Sequence, residues 1–144
     1  MFDFINEYSH DEVYDMGIRN VIGKYLNNHA ETNENHWDDS LKTHYYKTTK
    51  DKGLRTLEDI FNKSSAYEIN AVSAEHGEVS INVKKGKKAF VVATVVMVKP
   101  YQTAVDFSVT TESFLPFDLG YSTKLIKALY SEINQHLQLI TDKK

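Results

Sequence analysis

Apolar positions recur along this chain with two different periods, and the change of period divides it. In the first part, Tyr14, Ile18, Val21, Ile22 and Tyr25 fall at helical spacing. Ser9 and Glu12 form a capping box ahead of them, so the pattern predicts an amphipathic helix within residues 1–28. Gly17 and Gly23 each weaken that helix by roughly 1 kcal/mol relative to Ala, so it needs a surface to pack on. Residues 29–42 lose the periodicity. They are rich in Asn and acidic residues, which favour turns, and read as a polar linker anchored by Trp37.

Residues 43–144 read as an α+β domain. His44-Tyr45-Tyr46 predicts a short strand, and Thr48 or Thr49 caps a helix whose stripe is Leu54, Leu57, Ile60 and Phe61. Period-two alternation follows. Tyr67, Ile69 and Ala71, then Val79, Ile81 and Val83, then Val105, Phe107 and Val109 each alternate with polar residues. Between the last two runs, Phe90–Val98 is apolar on both faces. Leu125, Ile126, Leu129, Ile133, Leu137 and Ile140 mark a final helix. The element order is β-α-β-β-β-β-α, a four- to five-stranded antiparallel sheet with both helices on one face. The whole makes one compact domain.

The two-sided strand raises a question of cover. If the helices lie over Phe90 and Val92, then Val91, Val95 and Met97 face the other way. Something must cover that second face: the N-terminal helix, a second copy of the chain, or a ligand. On this reading Val91, Val95 and Met97, with Phe114 and Phe117 of the loop before the last helix, are interface candidates. A curved sheet closed by the final helix could instead enclose an apolar pocket lined by Phe90, Val92, Phe107, Leu125 and Leu129, with Val105 beside them.

Composition narrows the chemistry. With no cysteine, disulfides, zinc thiolates, iron–sulfur ligation and a cysteine nucleophile are excluded, and a reducing, cytoplasmic setting fits. The N-terminus lacks the basic and apolar regions of a signal peptide, and the longest apolar run is too short to span a membrane. The net charge of −3 divides unevenly. Residues 1–40 carry nine acids and two bases, so −7, while the rest carries +4. Neither value suggests nucleic-acid binding. Lys84, Lys85, Lys87 and Lys88 around Gly86 could contact an anion, although lysines also shield hairpins from edge pairing.

No catalytic constellation emerges. His29, Glu31, Glu34, His36, Asp38, Asp39 and His44 match no metal-ligand spacing, so no metal or cofactor is expected. His76, beside Glu75 and Glu78, reads as a solvated turn residue, and His136 as the edge of a helix stripe. The leading expectation is a non-enzymatic module that binds a protein or ligand. The alternatives are a small-molecule or lipid-binding helix-grip domain with weak activity, and an anion or nucleic-acid binder using the lysine hairpin.

The run from His44 to Leu137 resembles small bacterial proteins of unknown function. The similarity lies in Tyr46-Lys47-Thr48 before a helix, His76-Gly77-Glu78 between strands, and Asp118-Leu119-Gly120-Tyr121 before the final helix. The last segment resembles a bacterial family of uncharacterised domains with an arginine-bearing turn ahead of Asp-Leu-Gly. This chain has Thr110-Thr111-Glu112-Ser113 there, so no role of those arginines carries over. The resemblance implies a bacterial source and an α+β fold, and no activity.

Overall fold

A computed structural model of the chain describes residues 29–111 and 119–141. The N-terminal helix expected within 1–28 lies outside the described residues. So does the loop holding Phe114 and Phe117.

The elements are β1 (His29–Glu31), a 3-10 turn (Asp39–Leu41), β2 (His44–Tyr46), α1 (Lys50–Lys63), β3 (Tyr67–Ser73), β4 (Glu78–Val83), β5 (Ala89–Lys99), β6 (Gln102–Thr111) and α2 (Leu119–Asn134). They form an α+β fold with one six-stranded antiparallel sheet, ordered β1-β6-β5-β4-β3, with β2 also paired to β6. The segment read as a polar linker therefore contributes a strand. Ala30 pairs with Val109, and Leu41 is buried in the core.

Local chemistry sets most element boundaries. The Thr49 hydroxyl accepts from the Lys52 N–H and starts α1, and Asp51 sits favourably in its first turn. Gly77 and Gly86 take positive φ in the two hairpin turns flanking β4, as expected for glycine. At Gly77 a side chain is also excluded by space, because a Cβ there would lie 2.3 Å from the Val95 carbonyl oxygen. The final helix stops at Asn134, short of the stripe that runs on to Ile140. There the chain turns and runs back along β2. The Lys47 N–H donates to Gln138 O, and the Ile140 N–H donates to Tyr45 O. Leu137 is buried all the same, so the apolar spacing marked burial beyond the helix's end.

Both helices lie on one face of the sheet. The side chains of Val79, Ile81, Val91, Ala93, Val95, Val105, Phe107 and Val109 are buried on that face, under Leu54, Leu57, Phe61, Ile126, Leu129, Tyr130 and Ile133. Phe107 meets the Tyr130 ring edge-on at 4.9 Å. Gly53 on α1 lets the helix come close to Val95, whose Cγ1 would be 3.2 Å from a Cβ at that position. The helices therefore cover the Val91–Val95 row, not the Phe90–Val92 row expected from the sequence.

The opposite face is not uniformly apolar. Phe90, Val92, Thr94 and Val96 form a single row on β5. Asn82, Ser80 and Glu78 of β4 flank it on one side, and Thr110, Ser108, Asp106 and Ala104 of β6 on the other. A bulge between Ile69 and Ala71 resets the alternation in β3. Ala71 thereby joins this polar face, and Val72 aligns with Val79.

Candidate interaction surface

β5 and β6 are longer than their neighbours. The last β4–β5 partners are Glu78 and Thr94, and the Val95 N–H still donates to Gly77 O at 2.7 Å. Beyond that point β5 has no strand on its β4 side among the described residues, while β6 still pairs with β2 through residues 103–105, and the β5–β6 hairpin turns at Pro100 and Tyr101. Val96, Met97 and Val98 are 48%, 45% and 51% exposed, and Tyr101 is 63% exposed. Four large exposed apolar side chains thus gather at the β5 side of this hairpin end, while Thr103 opposite Met97 is buried and donates to Thr48 O. Tyr101 has φ of +57°, after Pro100. Glycine or asparagine normally holds that position, so the fold accepts backbone strain of the order of 1 kcal/mol to keep an aromatic ring there.

A loop lies on the far side of β6. Residues 32–43 leave the sheet and return to it through a closed neck. The Thr32 and Thr43 hydroxyls both donate to Asp106 Oδ1, at 2.7 and 2.6 Å, and Thr32 Oγ1 accepts the Phe107 N–H. Within the loop, Asn33 Oδ1 accepts from the Asn35 N–H, His36 Nδ1 from the Asp38 N–H, and Asp38 Oδ1 from Ser40. The bonds from Ser40 hold the Asp38 carboxyl below its ordinary value. Trp37 does not anchor this loop. It is 89% exposed, and Leu41 supplies the buried contact instead. Polar turn bonds, which the sequence pattern does not display, fix the loop without the indole.

The other sequence-derived candidates separate. Val91 and Val95, expected at an interface, are buried under the helices, and among the described members of that set only Met97 reaches the hairpin end. Phe107 and Leu129 are core residues with Leu125 packed against them, while Phe90 and Val92 lie half-buried on the opposite face. The sheet itself thus divides the proposed pocket lining. In the lysine turn, Lys84 pairs with Glu68 at 3.3 Å. The Lys87 carbonyl accepts from Tyr121, and its ammonium lies 5.8 Å from the centre of that ring. Lys85 and Lys88 are exposed.

The histidines are equally dispersed. His44 stacks on Tyr130 with ring centres 3.5 Å apart, and its Nδ1 is 2.8 Å from Lys42 O. His76 hydrogen-bonds Ser73, and His136 lies 3.7 Å from Glu132. Among the described residues, no three His, Asp or Glu side chains gather in a way that could hold a metal ion. Among them, too, no helix is long and apolar enough to cross a membrane. Comparison with protein-family models, curated proteins and solved structures finds no match.

Proposed function

We propose that the chain is a non-enzymatic protein-interaction module whose contact element is the β5–β6 hairpin. The observation that carries this reading is the exposure of Val96, Met97, Val98 and Tyr101 together at the end of that hairpin. Exposed apolar residues scattered singly need no explanation, whereas a contiguous group of them marks a contact surface. The strained backbone at Tyr101 supports it, because an exposed aromatic held at a cost is better explained by contact than by folding.

Native mass spectrometry of the protein purified from its own host, without denaturation, tests the proposal. The wild type is expected to carry protein mass beyond 16.5 kDa. The double variant Val96→Lys/Val98→Lys is expected to lose it while keeping its circular dichroism and melting temperature. A bare 16.5 kDa species for both proteins refutes the reading.

A further inference from the structure

Among the described residues, no helix lies over the sheet face that holds Phe90 and Val92. The relief of that face suits one. Phe90 and Val92 stand half-buried in a row on β5. Level with Val92, the neighbours are Ser108 on one side and Ser80, then Ala71, on the other. Small side chains flanking an apolar row leave room for a helix to come close. Asn82 and Thr110 flank Phe90, and Thr94, between Glu78 and Asp106, ends the row. The result is a narrow apolar strip with polar margins.

The chain carries a surface of matching shape. Tyr14, Ile18, Val21, Ile22 and Tyr25 make one narrow stripe at helical spacing. As a helix that stripe is about 16 Å long, and the strand from Phe90 to Thr94 spans about 14 Å. Gly17 and Gly23 make such a helix dependent on a surface. The point of attachment fits as well. His29 pairs with Thr110, and Thr110 pairs with Phe90, so the chain enters the sheet level with Phe90. The entry lies two strand spacings away, about 10 Å. The four residue steps from Tyr25 to His29 reach about 14 Å when extended, enough to set Tyr25 over Phe90.

We infer that the segment within residues 1–28 docks on this strip through Tyr14, Ile18, Val21, Ile22 and Tyr25. The other face is already filled by α1 and α2, so this face is the one left to receive the stripe. The docked segment completes a three-layer arrangement with the sheet in the middle. It stops short of Val96, so the hairpin contact stands or falls independently.

Disulfide capture in the full chain tests the inference. The natural sequence has no cysteine, so an introduced pair is the only one present. Val92→Cys is combined in turn with Ile18→Cys, Ile22→Cys and Asn20→Cys, the last lying on the far side of the helix. A docked stripe raises the concentration of one thiol at the other, so the faster of the two isoleucine pairs should close within one chain roughly tenfold sooner than the Asn20 pair. Non-reducing electrophoresis and intact mass read the outcome. Equal rates for all three pairs overturn the inference, as does no closure at all. A disulfide between two chains also overturns it, and makes a second copy the occupant. Hydrogen exchange gives a check without cysteine. Amides of residues 14–25 should exchange slowly in the wild type and roughly tenfold faster in Val92→Lys, while those of Ile81 and Val91 stay protected. Fast exchange of 14–25 in the wild type overturns the inference.

Discussion

Thr43 and Asp106 lie 63 positions apart in sequence, yet the hydroxyl of the first donates to the carboxylate of the second at 2.6 Å. Thr32 makes the matching bond from the other strand of the loop, so one oxygen fastens both ends. Thr43→Val should destabilise the fold by about 1–2 kcal/mol, because the hydroxyl is buried and its partner is charged. Asp106→Ala should cost more, about 2–4 kcal/mol, since it leaves two buried hydroxyls without their acceptor. Asp106→Asn should be milder than Asp106→Ala, because an amide oxygen can accept both bonds. Urea unfolding of the four proteins gives the order. Equal losses for the alanine and asparagine variants would show that the shared oxygen is not what holds the neck.

The orientation of β5 can be checked with two neighbouring substitutions. Val95 is buried against α1, so Val95→Asp places an unpaired carboxylate in the core and should cost about 4 kcal/mol or more. Val96 is half exposed on the other face, and Val96→Asp should cost about 1 kcal/mol or less, mainly through strand propensity. Thermal melts of both variants decide the matter. A severe loss at Val96 with a mild one at Val95 would reverse the two faces.

Two buried phenols set the response to alkali. Burial raises the pKa of both Tyr46 and Tyr130 well above the usual value. Tyr46 donates to Asn134 Oδ1 at 2.6 Å, and Tyr130 donates to Val105 O at 2.7 Å. The folded state favours the neutral phenol. The resulting stability is fully present below the ordinary tyrosine pKa of about 10 and is lost as pH rises beyond it. Stability of the wild type should therefore fall steeply above about pH 10. Tyr46→Phe and Tyr130→Phe should each cost about 1 kcal/mol at neutral pH and flatten the alkaline slope. Denaturant titrations between neutral and alkaline pH measure both effects. An unchanged slope in the double variant would assign the alkaline loss to other groups.

Much of the architecture was legible because alternation and capping are local signals. Val79, Ile81 and Val83 announce one buried face, and the Thr48-Thr49 pair announces the start of α1, with Thr49 the cap in the structure. The orientation of β5 was not legible. Its residues are apolar on both sides, and long-range register alone, Ile81 with Val91 and Val91 with Val109, selects the row that meets the helices. β1 was missed because His29-Ala30-Glu31 lacks the β-favouring aromatics that marked the equally short His44-Tyr45-Tyr46. Asp106 looked like an ordinary outward-facing residue of an alternating strand, and its two threonine partners lie more than sixty positions away. Trp37 misled for a related reason. Tryptophan usually marks burial, but Leu41 makes the core contact here. The hairpin end was partly visible in Met97, whereas its exposure depends on where β4 stops.

One edge of β6 is shared between two strands, with β2 alongside residues 103–105 and β1 alongside 108–110. The loop departs in the gap between them. Below the neck it is pinned again, by the Asn33 N–H to Leu41 O and the Thr43 N–H to Asn33 O. Residues 34–40 pair with no strand, although Glu34 hydrogen-bonds Tyr45 of β2 and Asp38 O accepts the N–H of buried Leu41. Only the stretch between those ties, 35–37 with Trp37 at its exposed crest, can take other residues while the scaffold keeps its register, which makes that short span a site for display.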